Sequence, residues 1–217
     1  MKRRDFSRAS ALALASAGMP STTLFAQALP PRIGVDYLSL EPAVSVQTLG
    51  SRIEVVEFFW YSCPHCNAFE PVLEAWVSRL PKDVVLRRVP AGFRVDMVPQ
   101  QRLFYTLELM GLLPVLHAKI FRAIHQEKQA LDREAAIVNW VTSQGVDRIR
   151  FVEQFTTLAV SLLASQATQS LNSYKVEGVP ALGVAGRFYT DGELARSMSR
   201  ALQITDHLIA EVRRGMA

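Results

Sequence analysis

The segment "VVEFFWYSCPHCNAFEP", Val55 to Pro71, holds both cysteines of the chain, two residues apart and directly after an apolar run. That run, "RIEVVEFFW" from Arg52 to Trp60, is β-branched and aromatic, the composition of a strand buried within a sheet. Pro64 follows Cys63 and suits the first turn of a helix, where its missing N–H costs nothing. A buried strand that turns within a few residues into a helix leaves Cys63 at the junction. The rest of the chain has to be built around that unit.

The junction is chemically loaded. At the N-cap of a helix, the Cys63 sulfur faces unpaired backbone N–H groups and the positive end of the helix dipole, and both favour an anion. His65, protonated or only donating a hydrogen bond, adds to the same effect. The predicted result is a lowered pKa for Cys63, which becomes a thiolate near neutral pH. Cys66 lies one turn further in and is expected to stay a buried thiol until it attacks. Stabilising the thiolate stabilises the reduced form, because the disulfide carries no charge. Each pKa unit is worth about 1.4 kcal/mol, or about 30 mV in a two-electron couple. The Cys63–Cys66 disulfide is therefore expected to be an oxidant.

Glu57 stands six residues before Cys63, amid Val55, Val56, Phe58 and Phe59. Burial there raises a carboxyl pKa, whereas a half-exposed strand would turn Glu57 to solvent. Other uses of the cysteines fit less well. A structural zinc site needs four ligands, and His117, His125 and His207 are isolated on predicted helices, where surface or capping roles are expected. No metal or other cofactor is expected. A purely structural Cys63–Cys66 bridge would close too short a loop to stabilise the chain much.

The first residues, "MKRRDFSRASALALASAGMPSTTLFAQA", read as an export signal. A basic n-region precedes a short Ala/Leu core from Ala9 to Met19 and a small-residue cleavage site at Ala26-Gln27-Ala28. The apolar core is about half of the ~20 residues a bilayer crossing needs, so residues 1–28 are expected to be removed rather than to anchor. "RRDF" also resembles a twin-arginine motif, which leaves the export route open. The expected destination is an oxidising compartment of a bacterial exported protein, where disulfides persist. Of the formal net charge of +4, +3 falls in the first eight residues. The remainder shows no clustered basic face, and no nucleic-acid partner is expected.

Beyond the signal, "DYLSL" is a possible edge strand and "VVLRRV" (Val84 to Val89) a second core strand. The helix after Pro64 is predicted to run through Ala68, Val72, Trp76 and Val77. A helical block follows: Leu103, Phe104, Leu107 and Met110; Leu116, Ile120 and Ile124 beyond Pro114; Ile137, Trp140 and Val141 after Asp132; and Leu158, Leu162 and Leu163 leading to Tyr174. "PALGVAGRFYT" predicts a hairpin turning at Ala185-Gly186, and Leu194 to Arg214 a closing helix. This order predicts an α/β chain with a thioredoxin-like fold and an inserted helical domain. The expected boundaries are 29–95 with 174–217 for the thioredoxin-like part and 96–173 for the insertion.

With the export signal, "EFFWYSCPHC", "FE", "GVPAL" and "VAGRF" in place, the whole mature chain resembles the bacterial DsbA family of periplasmic thiol:disulfide oxidoreductases. The resemblance implies that Cys63 and Cys66 are the redox pair, with Pro64 and His65 between them tuning it. It implies that Val179-Pro180 is a cis-proline loop beside them that pairs with an extended client peptide, a form of β-augmentation. It implies that Glu57 is a buried acid handling protons near the cysteines. Glu70 and Arg88 fall where the family often holds a Glu and a Lys; an arginine keeps its proton and can act only electrostatically. The implied activity is donation of the disulfide to unfolded, newly exported proteins, by a monomer that a DsbB-like, quinone-linked membrane protein re-oxidises. The alternatives are a disulfide isomerase or reductase, and a non-catalytic thioredoxin-like chaperone module. For the isomerase, some twenty residues before the first core strand leave no room for a dimerisation domain.

Overall fold

The computed structural model describes residues 30–47 and 52–215. The expected export signal and its cleavage site lie outside the described residues. Five strands form one sheet: β1 (Leu38–Ser39), β2 (Ile53–Phe59), β3 (Val84–Pro90), β4 (Ala181–Val184) and β5 (Phe188–Asp191), in the order β1-β5-β4-β2-β3. β2 pairs parallel with β3 and antiparallel with β4, while β5 pairs antiparallel with both β4 and β1. "DYLSL" therefore supplies the short edge strand that its position suggests.

All seven residues of β2 are buried. The strand is covered on both faces, which explains its apolar run without strict alternation. On one face Ile53 and Val55 pack with Phe69, Leu73 and Trp76 of α1 (Pro64–Val77) and with Leu202, Ile204 and Leu208 of the last helix, α7 (Met198–Arg213). On the other, Val56 and Phe58 join a larger core with the helical block. Ala68 and Val72 of α1 face solvent, so the buried stripe of that helix runs through Cys66, Phe69, Glu70, Leu73 and Trp76 instead.

The helical block comprises α2 (Val98–Leu109), α3 (Leu113–His125), α4 (Glu134–Ser143), α5 (Arg148–Phe155) and α6 (Leu158–Ser173), entered through a 3-10 turn at Val95–Met97. Two features depart from the sequence-based expectation. α5 is an additional helix, started by the Asp147 side chain, which accepts from the Arg150 N–H, and anchored by Phe151 and Phe155. On α6, Leu158 and Leu162 are exposed, at 73% and 52%, and the buried side carries Val160, Ala164, Ala167 and Leu171. The alanines let α6 lie close against α2, which outweighs the larger leucines in choosing the face.

The hairpin turns at Ala185 (φ 51°) and Gly186 (φ 69°), as the alternating pattern predicts. α7 begins four residues later than expected, at Met198. Asp191 Oδ1 accepts from the N–H groups of Glu193 and Leu194 and holds that segment as a turn, and Ser197 caps the helix through the Arg200 N–H.

Candidate active site

Cys63 occupies the junction between β2 and α1. Its backbone is extended (φ −78°, ψ 119°), Pro64 follows in the first turn, and the Cys66 N–H points at its sulfur across 3.4 Å. The Cys63 thiol also donates to the Val179 carbonyl oxygen at 3.3 Å. The register explains the encounter. Phe58 pairs with Ala181, so the residues leading into β4 lie beside the residues leaving β2. Val179 and Pro180 are joined by a cis peptide, with Pro180 buried and Val179 half-buried.

Both cysteines are free thiols in this structure. The Cys63 pKa is lowered to about 6. A hydrogen bond from the Cys66 thiol contributes most and burial opposes it; the backbone N–H groups of Cys66 and His65 and the His65 charge add to the lowering. Cys66 is fully buried, and burial pushes its thiol far up, reinforced by its donation to Cys63 and by the Cys63 charge. The pair is thus split: one sulfur is ready as an anion and the other held neutral. Pro64 and His65 are exposed, so the face the pair presents outward is theirs.

Glu57 is buried completely rather than turned to solvent. Burial, then the Glu70 charge, push its carboxyl up to about 8 against the opposing pull of Arg88. Arg88 is its register partner on β3, with Nε 3.1 Å from Glu57 Oε2, and the same guanidinium reaches Glu70 and Glu74 of α1. Glu57 also acts on Cys66, whose thiol its charge helps to keep protonated.

Three further side chains reach the cysteine loop; sequence reasoning assigns no role to Gln100, and surface or capping roles to His117 and His125. His117 of α3 is 8% exposed, with Nδ1 2.8 Å from the Tyr61 hydroxyl and Nε2 3.2 Å from Glu70 Oε1. His125, at the end of α3, donates from Nε2 to the Tyr61 carbonyl at 2.8 Å. Gln100 of α2 donates to the Ser62 hydroxyl at 2.7 Å. Neither histidine has the surface or capping role expected of it. For His117 the signal was present, because it falls one turn before Ile120 and Phe121 on the apolar stripe of α3. Among the described residues no cluster of three or more His, Cys, Asp or Glu side chains is arranged to hold a metal ion.

Residues 54–203 match the family model of the DSBA-like thioredoxin domain. The "Thiol:disulfide interchange protein DsbA" of Bordetella parapertussis is 41% identical over 202 residues, covering 93% of this chain and 96% of that one. The protein of the same name from Pseudomonas syringae is 38% identical, covering 91% and 94%. The crystal structure of Pseudomonas aeruginosa DsbA superposes with a TM-score of 0.81 at 34% identity, covering 86% of this chain and 96% of that one.

Proposed function

The chain belongs to the DSBA-like thioredoxin family and is a thiol:disulfide oxidoreductase; on that premise we propose that Cys63 and Cys66 are its redox pair and that it works as an oxidant of newly exported proteins in the periplasm. The observation that carries this reading is the capped Cys63 sulfur, held by the Cys66 N–H at the start of α1 and lowered to a pKa of about 6. A disulfide whose departing sulfur is so well accommodated is readily given up.

The cycle starts from the Cys63–Cys66 disulfide. A client thiolate attacks Cys63 Sγ, the S–S bond breaks, and Cys66 leaves with the electron pair and takes up a proton. Glu57 is placed to influence that step, because its charge is felt at Cys66. A second client thiolate then attacks the client sulfur of the mixed disulfide, and Cys63 leaves as a thiolate into its cradle of N–H groups. The client gains one disulfide, and Cys63 and Cys66 are reduced. The Val179 carbonyl next to Cys63 offers an extended client backbone a place to pair, with Pro180 fixing that edge.

Residues 29–95 and 174–217 act as the thioredoxin-like part and 96–173 as an insertion that covers it. Unfolded proteins are the clients, the oxidase is a monomer, and a DsbB-like membrane protein returns the electrons to quinone. Among the described residues no helix is long and apolar enough to cross a membrane. The deciding experiment is oxidation of a reduced, denatured protein by the oxidised chain. Cys63→Ala should abolish it, and the wild type should equilibrate with glutathione as an oxidising couple. Wild-type oxidation rates in Cys63→Ala, or a strongly reducing equilibrium, would overturn the reading.

A further inference from the structure

Behind the cysteine pair, three carboxylates converge on one cation. Glu57 from β2 and Glu70 and Glu74 from α1 all contact the Arg88 guanidinium of β3. One guanidinium serves three carboxyl groups, and Glu57 and Glu70 are buried. The remaining polar contact to Glu70 comes from outside this group. His117 Nε2 lies 3.2 Å from Glu70 Oε1, while its Nδ1 lies 2.8 Å from the Tyr61 hydroxyl. Tyr61 thus engages one ring nitrogen, and the other lies at ion-pair distance from the buried Glu70 carboxyl.

The ring is walled by Phe59, Phe104 and Phe121, with centroids 5.4, 6.1 and 5.4 Å away. It has little freedom to seek other partners. Its two contacts straddle the redox pair in sequence: Tyr61 stands two residues before Cys63, and Glu70 four residues after Cys66.

We propose that His117 is a positioning residue of the redox centre, turning Glu70 toward Arg88 and holding Tyr61 under the cysteine loop so that the helical block helps set the oxidising strength of the Cys63–Cys66 couple. The proposal rests on Cys63 and Cys66 being the redox pair. The groups facing the cluster are Glu57 and Tyr61 from β2 and its loop, Arg88 from β3, Glu70 and Glu74 from α1, and Glu108 of α2, whose charge also reaches Tyr61. Against the upward push of burial, His117 beside Glu70 lowers its carboxyl and favours the ionised form. Without it Glu70 takes up a proton more readily, the cluster is less negative, the Cys63 thiolate costs less, and the reduced form gains on the disulfide.

The test compares wild type, His117→Phe and His117→Gln in the full chain, reading the glutathione equilibrium constant and the Cys63 titration. Phenylalanine keeps the ring volume and removes both polar contacts. Glutamine can present an N–H to Glu70 and an oxygen to Tyr61. The expected result for His117→Phe is a shift of about threefold or more toward the reduced form, with a matching fall of about half a unit in the Cys63 midpoint. His117→Gln should lie much closer to wild type. If His117→Phe does not fold, His117→Asn, too short to span both partners, is read in its place. A wild-type equilibrium and titration in the Phe or Asn variant, or a shift in the Gln variant as large as in the Phe variant, would overturn the proposal. A wild type unable to exchange with glutathione would instead overturn the assignment of the pair itself.

Discussion

The Cys63 sulfur lies 3.3 Å from the carbonyl oxygen of Val179, 116 residues further along the chain. A thiol can donate to that oxygen, whereas a thiolate has no proton to give and is repelled by it. The contact therefore belongs to the protonated state, and the N–H groups of α1 hold the ionised one.

The reduced protein should show an ultraviolet thiolate band that titrates with a midpoint near 6 and is absent after oxidation or in Cys63→Ser. A depressed native pKa gives a stability contribution that is present above the unfolded pKa, near ~8.5, and lost as pH falls through the native value. Reduced protein should thus be more resistant to urea than oxidised protein at neutral pH. That advantage should fade as the pH drops through about 6. An ordinary thiol titration would contradict the charge-placement argument.

Removing Cys66 should stop the cycle halfway. Cys66 is buried and its thiol pushed far up, so client thiols should react at Cys63 and Cys66 should act only afterwards. A Cys66→Ala chain mixed with a reduced peptide under mild oxidation should accumulate a mixed disulfide at Cys63, visible by mass spectrometry. Adducts elsewhere, or none, would count against the order of events.

The raised Glu57 pKa has a pH signature of its own. A carboxyl whose native pKa lies above its unfolded value contributes stability fully below about 4.3, and that contribution is lost as pH rises through the native value, here about 8. Between about pH 5 and pH 9 the wild type should lose stability relative to Glu57→Gln, by on the order of a few kcal/mol. Urea unfolding at the two ends of that range measures it. Parallel pH profiles would mean that Arg88 neutralises Glu57 completely.

At the hairpin, Gly186 has φ +69°, and a Cβ there would lie 2.0 Å from the Val44 carbonyl oxygen. Gly186→Ala should destabilise by about 1–3 kcal/mol or more, from the strained backbone and the clash together. Ala185 also has positive φ, at 51°, so Ala185→Gly should be neutral or slightly stabilising. Thermal unfolding of the two variants separates these cases.

The parts of the fold carried by local chemistry were legible in the sequence. The β2 run, Pro64 at the start of α1, and Ala185-Gly186 at the hairpin each state their conformation within a few residues. The face of α6 was not legible that way. Leu158 and Leu162 are the more hydrophobic choice, but the close approach to α2 selects Ala164 and Ala167. Within the site, Cys63 at the helix N-cap could be read from its neighbours. Arg88 could be placed beside Glu57 only through the resemblance and the parallel strands. The contact of His117 with Glu70 depends on how α3 docks, which no local pattern specifies. Long-range docking, not residue type, was the missing information.

β2 takes both of its sheet neighbours from later in the chain, at very different distances. β3 follows soon after it, whereas β4 arrives only once the whole helical block has been made. A polypeptide emerging from its N-terminus therefore carries both sulfurs long before it owns Val179 or the histidine behind Glu70. Until then the reagent exists without its setting, and maturity of the centre waits on completion of the chain.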